Sequence, residues 1–367
     1  MSPPKLTYYF NDINKASFTV TKQAFSEAMQ KISPTAFIKM SDAIIKWFYK
    51  DTDFKKFRGY RILSVDGSVL EINNSEALRS KFGYIENQSM KLARAKSSSL
   101  YDVENDMIIA SVIGKYRSCE RAQAKQLIDK PEDFGFDNDL IIFDRGYPST
   151  VLINVFETKN INYLMRVSGG FLKVVLNASG AEQVVETKYK GKIIKIRVLK
   201  FKLEYGIEET LITNVFDTDF SIQDFKELYF KRWGIKVKYN ELKSRMQIEN
   251  FTGETPISIE QYFYATMYLS NMVTLAKMDA NQIIEERDKG KNLKYEYKVN
   301  PNILIGKLKN FLVLMLLEKS SFKQSRLLKK IMKEISSNVI PIRPGRKYPR
   351  RMTLRANKNS LNNKKAL

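Results

Sequence analysis

Apolar residues recur at helical spacing from Phe25 through Met29 and Ile32, and again from Phe37 through Met40, Ile44, Ile45 and Phe48. This predicts two amphipathic helices, parted by Ser33-Pro34 and with Thr21 placed to cap the first. From Tyr60 the spacing changes to that of strands, over residues 61–68, 98–103 and 106–113, the last two joined as a hairpin across Glu104-Asn105. A charged helical stretch over 118–128 follows. Then comes an apolar strand from Asp139 that ends abruptly in Asp144-Arg145-Gly146-Tyr147, a helix over 148–159 and a strand over 163–167.

Short β-type runs dominate 169–209, including 173–176, 183–186 and the longer 192–203, which alternates apolar and basic positions. Residues 210–215 return to a core-type strand, and 221–246 read as one helix. A further helix is expected over 257–278, an exposed linker over 285–298, and C-terminal helices over 303–317 and 327–335. Three strands, helix, strand, helix, strand is the order of a ribonuclease-H-like fold. The expected class is therefore α/β: a ribonuclease-H-like mixed-sheet core interrupted by a β-rich insertion, with helical N- and C-terminal parts. The division is a helical subdomain at 1–58, the first part of the core at 59–168, the insertion at 169–209, the second part of the core at 210–280, C-terminal helices at 281–342 and a tail at 343–367.

Composition adds a partner and removes most catalytic chemistries. Lys and Arg total 62 against 40 Asp and Glu, and the resulting formal charge of +22 makes a polyanion the first partner to consider, nucleic acid ahead of an anionic membrane surface. The tail carries nine of these cations (Arg343, Arg346, Lys347, Arg350, Arg351, Arg355, Lys358, Lys364, Lys365) and no acid, so it is expected to be disordered until it meets an anion. No apolar run reaches the roughly 18 residues needed to span a bilayer, and the N-terminus lacks the order of a signal peptide, so a cytoplasmic protein is expected, nucleoid-associated when bound to nucleic acid. Cys119 stands alone and histidine is absent, which excludes disulfides, the common zinc sites and imidazole-based catalysis.

The remaining chemistry belongs to carboxylates, Lys and Tyr. Asp66 lies inside an apolar strand, where an ionised carboxylate needs a partner, and Asp144 ends another. In the expected strand order these two strands are neighbours, so the carboxylates can converge on a hard cation such as magnesium or manganese. Asp102, Glu104 and Glu120 are nearby carboxylates better suited to turn and salt-bridge roles. On one continuous helix at about 100° per residue, Tyr229, Arg232, Lys236 and Lys243 fall at roughly 0°, −60°, −20° and −40°, a single polar stripe. Such a stripe is either a solvated basic face or a grip for phosphates.

Val65-Asp66-Gly67-Ser68, Phe143-Asp144-Arg145-Gly146-Tyr147, the β-rich insertion, and Tyr229-x-x-Arg232-Trp233 through Lys243 followed by Glu249-Asn-Phe-Thr-Gly253 resemble the DDE transposases of bacterial insertion sequences, in the group with a Tyr-Arg-Glu-Lys signature. The resemblance spans roughly residues 15–320. It implies metal-dependent nicking at element ends and strand transfer on double-stranded DNA, two divalent ions (Mg2+ or Mn2+), and a homodimer engaged on DNA. It also implies metal-ligand roles for Asp66 and Asp144, and DNA contacts for Arg145, Tyr229, Arg232, Trp233 and Lys243. The signature glutamate falls four residues after Arg232, where this chain has Lys236. Glu241 lies roughly 140° round the helix from Lys236 and does not replace it. Lys236 is instead expected to pair with Asp66 or Asp144 in the place of a cation, giving a protein that binds DNA but cuts it poorly or not at all.

Overall fold

The computed structural model describes residues 21–51, 53–130, 138–203 and 206–343. The first 20 residues of the expected helical subdomain and all of the basic tail beyond Arg343 lie outside them. Of the described residues, Met40–Ser244 form one compact unit, and those up to Lys39 together with those from Arg245 onward form another.

Helices α1 (Lys22–Gln30) and α2 (Thr35–Asp51) follow the N-terminal pattern, and the Thr21 hydroxyl accepts the Ala24 N–H at 3.1 Å as the expected cap. The core then runs β1 (Arg61–Glu71), α3 (Glu76–Phe82), β2 (Tyr84–Glu86), β3 (Lys91–Asp102), β4 (Met107–Lys115), α4 (Glu120–Ile128), β5 (Asp139–Phe143), α5 (Thr150–Lys159) and β6 (Asn162–Arg166). Strand β3 pairs antiparallel with β1 on one edge and with β2 and β4 on the other. Strand β1 is parallel to β5, and β5 to β6. This is the mixed sheet expected of a ribonuclease-H-like core, with the first strand beside the fourth of the long ones.

The segment after β6 holds α6 (Lys173–Leu176), β7 (Glu182–Tyr189), β8 (Lys192–Lys202) and β9 (Glu208–Thr213). Its strands extend the core sheet: β9 pairs antiparallel with β6, β8 with β9 and β7 with β8. The β7–β8 turn is two residues long, and Lys190 and Gly191 take φ of 48° and 81°, the left-handed pair that a tight hairpin turn requires. The run 173–176, expected as β, is instead the short helix α6. The Lys200 ammonium donates to the carbonyls of Leu176 and Ala178 at 2.9 and 2.7 Å, satisfying a helix end that propensity alone disfavours.

Strand β5 is buried over its whole length because both faces are covered. Leu140 and Ile142 pack with Phe225 and Leu228 of helix α7 (Ile222–Lys231). On the other face Phe143 meets Phe156 of α5, ring centroids 5.4 Å apart. The single helix expected over 221–246 is two, α7 and α8 (Trp233–Ser244), separated at Arg232. There the ladder tightens to three-residue steps, Arg232 N–H to Tyr229 C=O and Ile235 N–H to Arg232 C=O, both at 3.3 Å.

In the other unit, α9 (Pro256–Asp288) starts from a capping box of Thr255 and Ser258. It continues ten residues past the expected end, through part of the stretch expected as linker, held by buried Ala280 and Ile284 one turn apart. Strand β10 (Tyr297–Val299) occupies the end of that stretch and pairs with β11 (Val339–Pro341). Helices α10 (Pro301–Leu317) and α11 (Ser321–Ser337) lie between them in sequence. No helix of the described residues is long and apolar enough to cross a membrane.

Candidate active site

Strand register brings the two aspartates together. Ser64 of β1 lies opposite Ile142 of β5 in the parallel ladder, and two more residues in that register place Asp66, midway along β1, beside Asp144, just past the carboxyl end of β5. Neighbouring strands are about 4.8 Å apart, and equal register puts both side chains on the same face of the sheet. Each carboxylate also takes the N–H of the residue after it: Asp66 from Gly67 at 3.0 Å and Asp144 from Arg145 at 2.8 Å.

Helices α7 and α8 bring cations to this pair. The Tyr229 hydroxyl donates to Asp144 Oδ1 at 3.2 Å, while Arg232 Nη1 and Lys236 Nζ stand 3.4 and 3.9 Å from Asp144 Oδ2. Three of the four stripe residues therefore meet at one carboxylate despite the helix break. The fourth, Lys243, turns to the β1 backbone and donates to the Val69 carbonyl at 2.6 Å. Tyr229 and Arg232 are buried. Arg232 Nε and Nη1 have no hydrogen-bond partner, so the guanidinium holds donor capacity that Asp144 does not use. Trp233 is 52% exposed, with the Lys236 ammonium 4.6 Å from its ring centroid, and Arg145 is exposed beside the site.

The carboxyls are driven apart electrostatically. Burial pushes Asp66 up, opposed by the Gly67 N–H and the charges of Lys236 and Arg232, with the Asp144 charge adding to the rise. Asp144 is also penalised by burial, but the Arg145 N–H, Arg232, Lys236 and the Tyr229 hydroxyl together hold it below the usual carboxylate range.

The other acids are engaged elsewhere. Asp102 is fully buried on Tyr49 and Asn105, and Glu104 pairs with Lys231. Glu120 pairs with Lys96 at 2.8 Å. That pair lies across both strands, since the Lys96 stem backs Gly67 and a Glu120 oxygen faces Gly146. Two tyrosines to which the sequence assigned no role complete the floor. The Tyr239 hydroxyl bonds Ser99 Oγ at 3.0 Å and reaches the Asp66 carbonyl at 3.3 Å. Tyr147 is buried with its hydroxyl unpartnered, and burial together with Glu120, Asp66 and Asp144 raises its pKa. Tyr147 was legible only as the last residue of the Asp144-Arg145-Gly146-Tyr147 stretch, and Tyr239, between Lys238 and Asn240, carried no signal of its own.

Two carboxylates on adjacent strands suit one hard cation, but the set as it stands does not fit a divalent pair. Among the described residues no group of three or more acidic, His or Cys side chains is arranged to hold a metal. A cation on Asp144 Oδ2 would face both Arg232 and Lys236. At an effective dielectric near 20, two unit charges about 4 Å apart repel by about 4 kcal/mol before solvent screening reduces it.

The family described as "Transposase DDE domain" matches residues 57–272. The transposase InsG for insertion sequence element IS4 of Escherichia coli (strain K12) is 20% identical over 272 residues, 69% of this chain and 60% of that protein. The chain thus spans less than two thirds of that relative's length. A cryo-EM structure of the piggyBac transposase synaptic complex with hairpin DNA aligns with 78% of this chain and 59% of its own, at a TM-score of 0.44 and 13% identity. With the family match covering more than half of its 367 residues, the chain belongs to the transposase DDE domain family.

Proposed function

We propose that the chain is the transposase of an insertion sequence, that it engages double-stranded DNA at element ends as a homodimer, and that Lys236 leaves it able to hold DNA while cutting it poorly. The observation that carries this reading is the position of the Lys236 ammonium, on the same Asp144 oxygen that Arg232 approaches. Where the family's chemistry calls for a third carboxylate and divalent ions, this site supplies a cation of its own.

The same groups suit a phosphodiester. The Lys236 side chain is 39% exposed, Trp233 and Arg145 present an exposed ring and guanidinium beside it, and the buried Arg232 guanidinium adds its charge from beneath. A phosphate between these groups gains charge-assisted hydrogen bonds without needing the aspartates. Asp66 and Asp144 then balance the cations rather than coordinate an ion.

The test is a nicking and strand-transfer assay on plasmid carrying the element's ends, with Mg2+ or Mn2+, comparing wild type and Lys236→Glu. The expected result is tight end binding by both proteins and divalent-dependent nicking that rises at least a hundredfold in Lys236→Glu. Equal cutting by the two proteins overturns the reading.

A further inference from the structure

Helix α11 carries a charge pattern that the site does not use. Lys323, Arg326, Lys329, Lys330 and Lys333 are all exposed, and no acid occurs between Ser321 and Lys333. At about 100° per residue, and taking Lys323 as zero, the five cations fall between roughly −120° and 0°, whereas Ile331, Met332 and Ile335 fall between roughly 80° and 180°. Those three apolar residues are 1%, 7% and 0% exposed. The helix is therefore anchored in its own unit by one face and turns outward a cationic arc, interrupted by Phe322, which is 75% exposed. Among the described residues none of the five is ion-paired. The one acid of the helix, Glu334, is already held by Lys307 at 2.6 Å.

We infer that this arc is a second DNA-contacting surface, distinct from the Asp66–Asp144 site and reading phosphates rather than sequence. It rests on the proposal above only in taking duplex DNA as the partner. From Lys323 to Lys333 the helix rises about 15 Å. A duplex strand presents a phosphate about every 3.4 Å along the axis, so an arc of this length meets about four of them. An unneutralised row of this kind is repelled by itself and is relieved by a polyanion of matching charge spacing. A lipid surface fits less well. Insertion of an amphipathic helix needs its apolar face, and here Ile331, Met332 and Ile335 of that face are buried, leaving Leu328 at 39% exposure.

The test uses the full chain with Lys323→Gln, Arg326→Gln, Lys330→Gln and Lys333→Gln combined. Binding to a 30-base-pair duplex of arbitrary sequence is followed from low to moderate salt, and melting temperature serves as the folding control. Wild type is expected to bind with a steep salt dependence. In the variant the slope falls by about 3 to 4 on a log–log plot, since each lost phosphate contact removes about one, with affinity at least tenfold weaker. A second variant with Lys323→Arg, Lys330→Arg and Lys333→Arg keeps the wild-type slope. An unchanged slope in the glutamine variant overturns the inference while leaving the site proposal standing. Wild type that ignores duplex DNA overturns both. Loss of binding confined to vesicles of anionic phospholipid, with duplex binding intact, also overturns it.

Discussion

The ammonium of Lys236 stands 3.9 Å from Oδ2 of Asp144, on the oxygen that Arg232 approaches to 3.4 Å. An ordinary acid–base pairing would need only one of these cations. With both present, the charge at this end of the sheet is set by the protein, and the consequences can be measured without DNA.

Replacing Lys236 by Met removes a charge that favours the ionised form of both aspartates, so both carboxyl pKa values should rise. Asp144 sits below its ordinary value when folded. Its ionised form therefore stabilises the fold above the unfolded-state pKa, and that contribution is lost as pH falls through the lower folded value. Lys236→Met should weaken it, with a stability loss under about 1 kcal/mol at neutral pH because the Lys236 side chain is 39% exposed. Carboxyl-carbon NMR titration reads the effect directly. Unmoved or lowered carboxyl values in the variant would contradict the pairing.

Gly234 marks how closely α8 approaches β3. A Cβ there would meet Tyr101 at 3.4 Å and Val103 at 3.8 Å, ordinary contact distances. An alanine therefore fits, and it removes the helix-interior penalty of glycine, about 0.8–1 kcal/mol. Gly234→Ala should raise stability by about 0.5–1 kcal/mol in urea unfolding, whereas Gly234→Phe should lower it and shift the cations of the site. A destabilised alanine variant would mean that the helix sits closer to the strand than these distances state.

The pairing of β1 with β5 was legible through the element order, which in a ribonuclease-H-like core makes the first and fourth strands neighbours. The convergence of Asp66, inside the one, and Asp144, after the other, follows from that order. Lys236 was legible through its place in the signature. What pattern could not give was the break at Arg232, which depends on two hydrogen bonds rather than on residue type. The helix over 173–176 was hidden because its β-branched residues favour strand, and a lysine 24 residues after Leu176 settles the matter. The charged end of α9 was misread because charges dominate its composition, although two buried residues fix its conformation. The burial of Arg232 and Tyr229, which turns two expected surface contacts toward Asp144, is likewise a product of tertiary packing.

Asp102 gives the fold a pH dependence. Burial pushes its carboxyl up to about 6, against hydrogen bonds from Tyr49 and Asn105 and the charge of Arg61. The folded value lies above the unfolded one, so the group contributes its stability when protonated. That contribution is complete below about pH 4 and is lost as pH rises through about 6. Relative to Asp102→Asn, which does not titrate, wild type should gain on the order of 2–3 kcal/mol as pH falls from 7.5 to 4. Paired thermal melts across this range measure the difference. A gap that stays flat or runs the other way would show that Asp102 is ionised throughout.

The last prediction concerns what holds Asp66 level with Asp144. Arg61 and Asp139 open β1 and β5 and face each other in the parallel register, with Arg61 Nε and Nη2 on the two Asp139 carboxylate oxygens at 2.6 and 2.8 Å. The guanidinium also lies 4.4 Å from the Tyr49 ring centroid. Both residues are buried, at 0% and 5% exposure. Counting five residues along each strand from this pair arrives at Asp66 and Asp144, so a bidentate lock at one end fixes the alignment of the carboxylates at the other. Removing one partner of a buried pair leaves an uncompensated charge and costs about 3–5 kcal/mol. Arg61→Met should lose that much in denaturant unfolding. Arg61→Lys should lose more than half of it, because an ammonium cannot reproduce the two parallel hydrogen bonds. In Arg61→Lys the Asp66 and Asp144 carboxyl signals should also broaden or shift as the register loosens. A lysine variant with wild-type stability and unchanged carboxyl signals would show that charge alone, without bidentate geometry, is enough to align the site.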